Sequence, residues 1–138
     1  MKKEEHGLCD VLDIRGKVAK FIVVNRLLAD MTQTNVAKKT VRTFQQIQKY
    51  ENCTNNISSD ILLFICAVFG YDMHYLLNGN PEELINKLGV RDQVRCRNKF
   101  LEINDKVEEH RRVKEHYDHL LPKLEAEMSY VVTYRDPK

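Results

Sequence analysis

The sequence has no tryptophan, five glycines and three prolines, which is too little glycine and proline for a fibrous or low-complexity chain. Its longest uninterrupted apolar run, Ile61 to Phe69, covers nine residues, where a membrane span needs roughly 20. No apolar segment follows the opening Met1-Lys2-Lys3-Glu4-Glu5-His6 either, so secretion and membrane insertion are not expected and the cytoplasm is the expected compartment. The four cysteines (Cys9, Cys53, Cys66 and Cys96) form no Cys-x-x-Cys pair and are expected to be reduced thiols, Cys66 as a small core residue within the apolar run. A glycine-rich phosphate loop, a nucleophile elbow and a His-Glu-x-x-His helix are all missing, so neither an enzyme nor a bound cofactor is expected. His116 and His119 share a helix face, but zinc needs a third and usually a fourth converging ligand, so no metal site is expected.

The 138 residues are 43% apolar and 30% charged, the composition of one helix-rich globular domain with a short appendage. A net charge of +2 conceals a strong asymmetry. Residues 14–50 carry Arg15, Lys17, Lys20, Arg26, Lys38, Lys39, Arg42 and Lys49 against Asp30 alone, a local charge of +7. Residues 51–80 carry three acids and no base, and residues 81–138 balance to zero. A segment of +7 inside a nearly neutral chain fits either a solvated basic face or an anionic partner, with nucleic acid the first candidate.

Start and stop signals divide residues 13–79 into five short helices. Asp13 caps the first, which carries Val18, Ile22, Leu27 and Leu28 inward and ends near Asp30. Thr32 caps the second, Gln33 to about Lys39, with Val36 and Ala37 inward. Thr43 and Gln46 form a capping box for the third, Phe44 to Asn52, with Ile47 and Tyr50 inward. Ser58 or Ser59 opens the fourth, which is apolar nearly all round to Phe69 and is therefore expected to be the central buried helix, with Gly70 as its left-handed stop. Asp72 opens the fifth, through Met73 and Leu76, and Gly79 ends it. Beyond it, Asn80-Pro81-Glu82-Glu83 starts a helix to Leu88, and a charged helix follows from about Asp92 to Leu121, with Pro122 expected to interrupt it.

Two short helices joined by Val41-Arg42-Thr43 make a helix-turn-helix unit whose second helix is slim enough for the DNA major groove. It points Thr43, Phe44, Gln45, Gln48 and Lys49 outward, and glutamine suits adenine because its amide donates and accepts at once. Those five residues are the expected base contacts. Arg15, Lys17, Lys38, Lys39 and Arg42 are the expected phosphate contacts.

The stretch Met31-Thr32-Gln33-Thr34-Asn35-Val36-Ala37-Lys38-Lys39-Thr40, then Thr43-Phe44-Gln45-Gln46-Ile47-Gln48-Lys49-Tyr50-Glu51-Asn52, resembles the lambda-repressor and Cro (XRE-type) family of transcriptional regulators. Ile61-Leu62-Leu63, Ala67-Val68-Phe69-Gly70 and Tyr75-Leu76-Leu77 resemble that family's last two helices, so the likeness covers about residues 14–78. It implies an all-α, five-helix DNA-binding domain that is usually dimeric and regulates transcription, and it adds Gln33 to the expected phosphate contacts. Val41 departs from the family pattern, standing where the family usually has a glycine in a left-handed turn. A β-branched residue there costs on the order of 1 to 3 kcal/mol, so either the turn takes another path or the motif is weakened. Arg42 and Cys53 also replace residues that are usually apolar and glycine.

The expected organisation is a DNA-binding domain over residues 1–79 and a helical extension over residues 80–138. Within the extension Phe100, Ile103, Val107, Tyr117, Leu121, Leu124 and Met128 recur in steps of three and four, with His110 and Lys114 as a polar break. That stripe either packs on a second subunit or folds back on the first half. The dimer is favoured because one such domain reads few base pairs, and two read a palindrome. The expected function is a homodimeric, sequence-specific duplex-DNA-binding regulator with no small-molecule ligand evident. The alternative is a protein-interaction module, an antitoxin or an adaptor, with secondary or lost DNA binding.

Overall fold

A computed structural model describes residues 11–54 and 56–135. Cys9 and the rest of the first ten residues lie outside it. Among the described residues the chain is all-helical: α1 Val11–Leu28, α2 Gln33–Lys39, α3 Phe44–Glu51, α4 Ser59–Phe69, α5 Met73–Asn78, α6 Pro81–Leu84, a 3-10 turn Ile85–Lys87 and α7 Val90–Arg135. None of these helices is long and apolar enough to cross a membrane. The chain forms two compact units, residues 1–107 and residues 108–138.

α1 is the central helix of the first unit. Val18, Ala19, Phe21, Ile22, Val23 and Val24 are all buried, because α3, α4, α5 and α6 all pack against it. This corrects the expectation that the apolar fourth helix would be central. α4 buries Ile61, Ile65 and Cys66 but leaves Leu63 and Phe64 exposed. Composition alone could not show that α4 meets fewer neighbours than α1.

Helices α1 to α4 all stop in the same way. A residue just past the end of each helix, Asp30, Val41, Cys53 or Gly70, has a φ of 56°, 54°, 61° or 79°. The next N–H reaches back five residues, from Met31 to the Arg26 carbonyl at 3.0 Å, Arg42 to Ala37 at 2.9 Å, Thr54 to Lys49 at 3.0 Å and Tyr71 to Cys66 at 2.9 Å. These are Schellman stops, which glycine usually makes because it has no Cβ to clash. Here three of the four are made by other residues. The turn after α2 therefore keeps the left-handed path despite Val41.

The first unit extends past the expected boundary at residue 79. Leu84, Ile85 and Leu88 join its core, and so do Cys96, Phe100, Ile103 and Val107 from the head of α7. Gly16 makes this packing possible, since a Cβ built there would lie 2.7 Å from a Val107 methyl. Lys20 Nζ sits 5.5 Å from the centre of the Phe100 ring and pairs with Glu82 at 2.8 Å. Burial raises the Cys53 and Cys66 thiols above their ordinary range and pushes Cys96 up to about 11, so all three stay protonated and unreactive.

α7 also runs through Pro122 without a break, which corrects the expected interruption. Proline's fixed φ is itself helical, so its ring removes one hydrogen bond and crowds the Asp118 carbonyl without forcing the backbone out of the helix. In the second unit Tyr117, Leu121, Leu124 and Met128 remain exposed, as does Val113.

Candidate nucleic-acid interface

The expected reading surface begins with two capping boxes. Thr32 Oγ1 accepts from the Asn35 N–H at 3.0 Å while Asn35 Oδ1 accepts from the Thr32 N–H at 2.9 Å. Thr43 and Gln46 repeat the arrangement at 3.1 and 2.9 Å. Each box satisfies backbone donors that a helix start leaves orphaned, which fixes where α2 and α3 begin. Val36, Ala37, Ile47 and Tyr50 are buried, as their spacing predicts.

Apart from Glu51, which is buried, and Gln46, which is half-buried, the remaining side chains of α3 are exposed. Thr43, Phe44, Gln45, Gln48 and Lys49 are all exposed, so the five expected base contacts all belong to the solvent-facing surface. Gln46 is excluded from it, since its amide is committed to the cap.

Gln33 is held in place by a network that sequence reasoning missed. Arg26 of α1 grips Glu51 of α3 with two hydrogen bonds, Nε to Oε2 at 2.6 Å and Nη2 to Oε1 at 3.0 Å. The Glu51 side chain is 1% exposed. Gln33 Nε2 donates to the same Glu51 Oε1 at 2.8 Å, and Arg26 Nη1 donates to the Met31 carbonyl at 3.1 Å. One buried carboxylate thus ties α1, α2 and α3 together and orients the first side chain of α2. The basic block of residues 14–50 includes Arg26 without marking it as a core residue. Its position on the buried face of an apolar helix was the available signal, because a buried charge must find a partner.

The expected phosphate contacts divide. Lys38 and Lys39 are exposed on the last turn of α2, and Arg42 follows them, half-buried, with its Nε unpartnered. Arg15 Nη2 donates to Asn56 Oδ1 at 2.5 Å, which places it beside the loop after α3. Lys17 is not brought to α2 or α3. It lines a different cleft with Lys20, Asn80, Glu82 and Asn104.

A larger cleft of about 840 Å³ opens beside Gln33 and Phe44, walled on its other side by the head of α7 with Arg91, Arg95, Asn98 and Lys99. Lys99 Nζ also donates to Asn52 Oδ1 at the end of α3. Phe100, Ile103 and Val107, expected at a dimer seam, are buried inside this unit and face no second subunit. No family model matches the chain, and neither does a curated protein or a solved structure.

Proposed function

We propose that the protein is a sequence-specific regulator of the lambda-repressor and Cro type, which places α3 in the major groove of duplex DNA. The observation that carries this reading is the common exposure of Thr43, Phe44, Gln45, Gln48 and Lys49 on α3, next to a Gln33 that Glu51 holds in place. Gln45 and Gln48 match the paired donor and acceptor of adenine, and Phe44 offers an apolar surface to a thymine methyl. Lys38, Lys39 and Arg42 add a phosphate term that is independent of sequence. The left-handed turn at Val41 supports the reading too, since it keeps α2 and α3 in the register that the family's glycine usually provides.

Self-association through Tyr117, Leu121, Leu124 and Met128 completes the proposal. Four large apolar side chains on one exposed helix face are an interaction surface by the usual physical argument, and a second copy brings two α3 helices to sites about 34 Å apart on one duplex face. The same stripe supports a second reading, in which it grips a different protein. Selection of bound duplexes from a random pool tests the proposal. An enriched palindrome is the expected outcome, and failure to enrich any sequence at low salt would overturn it in favour of the interaction module.

A further inference from the structure

The charge of residues 81–138 vanishes only as a total. Residues 87–106 carry Lys87, Arg91, Arg95, Arg97, Lys99 and Lys106 against Asp92, Glu102 and Asp105, a surplus of +3, and the rest of the block is acidic. All of these residues but Lys87 sit on the part of α7 that belongs to the first unit, where the surplus is +2. Arg91, Arg95 and Lys99 are spaced four apart, so they share one face of the helix. All three line the cleft whose opposite wall carries Gln33 and Phe44.

We propose that the head of α7 is a second arm of the DNA interface, with Arg91, Arg95 and Lys99 holding the sugar–phosphate strand that passes Gln33. The inference rests on the DNA-binding reading and extends it to a segment whose sequence pattern pointed only to self-association. Three features favour a strand of DNA over a single small anion. From Arg91 to Lys99 the helix rises about 12 Å, several times the 3.4 Å axial spacing of phosphates along one strand. The cleft also reaches Gln33 and Phe44, which the DNA-binding reading turns toward the duplex. Arg91 and Arg95 are also exposed rather than gathered round one point.

Acids line the cleft as well, and they must give way. Asp92 meets Arg95 at 3.4 Å and Glu102 meets Lys99 at 3.5 Å, both long contacts in which one partner is well exposed, although Lys99 itself is half-buried and also donates to Asn52. Such pairs hold weakly in water, and a phosphate oxygen accepting from a guanidinium in good geometry replaces them. Asp30 stands on the α1 side of the cleft. It sets the strand toward the α7 wall.

The test uses the full chain and a random-sequence duplex of about 30 base pairs, with affinity measured by fluorescence anisotropy between about 50 and 200 mM salt. R91Q/R95Q should lower the slope of log affinity against log salt by about 1.8, since each lost phosphate contact removes about 0.9. R91K/R95K keeps the charge and should keep most of the slope. R111Q/R112Q removes the same charge from the second unit and should leave the slope nearly unchanged. K38Q/K39Q reports on the α2 contacts independently. If R91Q/R95Q behaves like R111Q/R112Q while K38Q/K39Q lowers the slope, the arm is wrong and the DNA-binding reading stands. If the unaltered protein does not bind the duplex at low salt, that reading fails and the arm falls with it.

Discussion

The head and the tail of α7 carry the same apolar spacing and meet different fates. Phe100, Ile103 and Val107 are 4%, 1% and 8% exposed, whereas Tyr117, Leu121, Leu124 and Met128 are 58%, 45%, 48% and 66% exposed. A stripe in steps of three and four states that a helix has an apolar face, and nothing in the spacing says what covers it. For the head the cover is α1, which can approach because Gly16 leaves room for Val107. The tail's stripe is left to water within this chain. One stripe therefore meets two environments, and the boundary between them falls where the first unit ends.

The largest expected effects sharpen that contrast directly. Phe100→Ala should destabilise the fold by about 3 to 5 kcal/mol, through lost burial and the cavity left behind. Leu124→Ala should change the unfolding free energy of dilute protein by less than about 0.5 kcal/mol, as a surface substitution does. Its effect should appear instead as weaker self-association. Urea titrations at several protein concentrations separate the two outcomes, and equal losses at low concentration would mean that the tail is covered after all.

How far the fold was legible follows from the range of the interactions involved. The capping boxes at Thr32 and Thr43 are decided within four residues, and Val36, Ala37, Ile47 and Tyr50 by helical period, so each could be read from the sequence. Pro122 shows a local rule overridden, because one missing hydrogen bond does not end a helix that continues on both sides of it. The choice of α1 as the central helix, the seating of α7 beside Gly16 and the Arg26–Glu51 pair all join residues far apart in the chain. No local pattern specifies such pairings. The cleft formed by Gln33, Phe44, Arg91 and Arg95 was hidden for a further reason: summing charge over long blocks cancelled the basic head of α7 against acids elsewhere.

One ion pair of the first unit and one of the second contrast as the apolar faces do. Glu51 is sealed between Arg26 and Gln33, while Lys114 meets Asp118 at 2.8 Å with both side chains more than half exposed. Removing one partner of a buried pair strands the other charge away from water. Glu51→Gln should therefore cost about 3 kcal/mol, near the lower end for such changes because the amide keeps some hydrogen bonds. Asp118→Asn should cost no more than about 0.5 kcal/mol, the ordinary worth of an exposed helix pair. Both changes are measured by denaturant unfolding. If Glu51→Gln were as mild as Asp118→Asn, Glu51 would not be the tie between α1, α2 and α3, and the placement of Gln33 would need another cause.

A modest gain in stability is expected at Val41, and it tests how firmly the first unit imposes its backbone. Val41 is held at a φ of 54° with 79% of its surface exposed, so its side chain contributes little packing there. A left-handed conformation costs a residue with a Cβ roughly 1 to 2 kcal/mol, and glycine is free of that cost. Glycine also loosens the unfolded chain, which takes back about 0.4 to 1 kcal/mol. Val41→Gly should consequently stabilise the protein by about 0.5 to 1 kcal/mol in denaturant unfolding, with no change in duplex binding beyond that. Cys53 has nearly the same backbone, at a φ of 61°, but its side chain is fully buried, so Cys53→Gly should lose more in packing than it gains in relieved strain and destabilise the protein. Opposite signs for the two substitutions would identify strain at an exposed turn as the cause. A loss of stability from Val41→Gly would mean that the turn between α2 and α3 takes another path in solution.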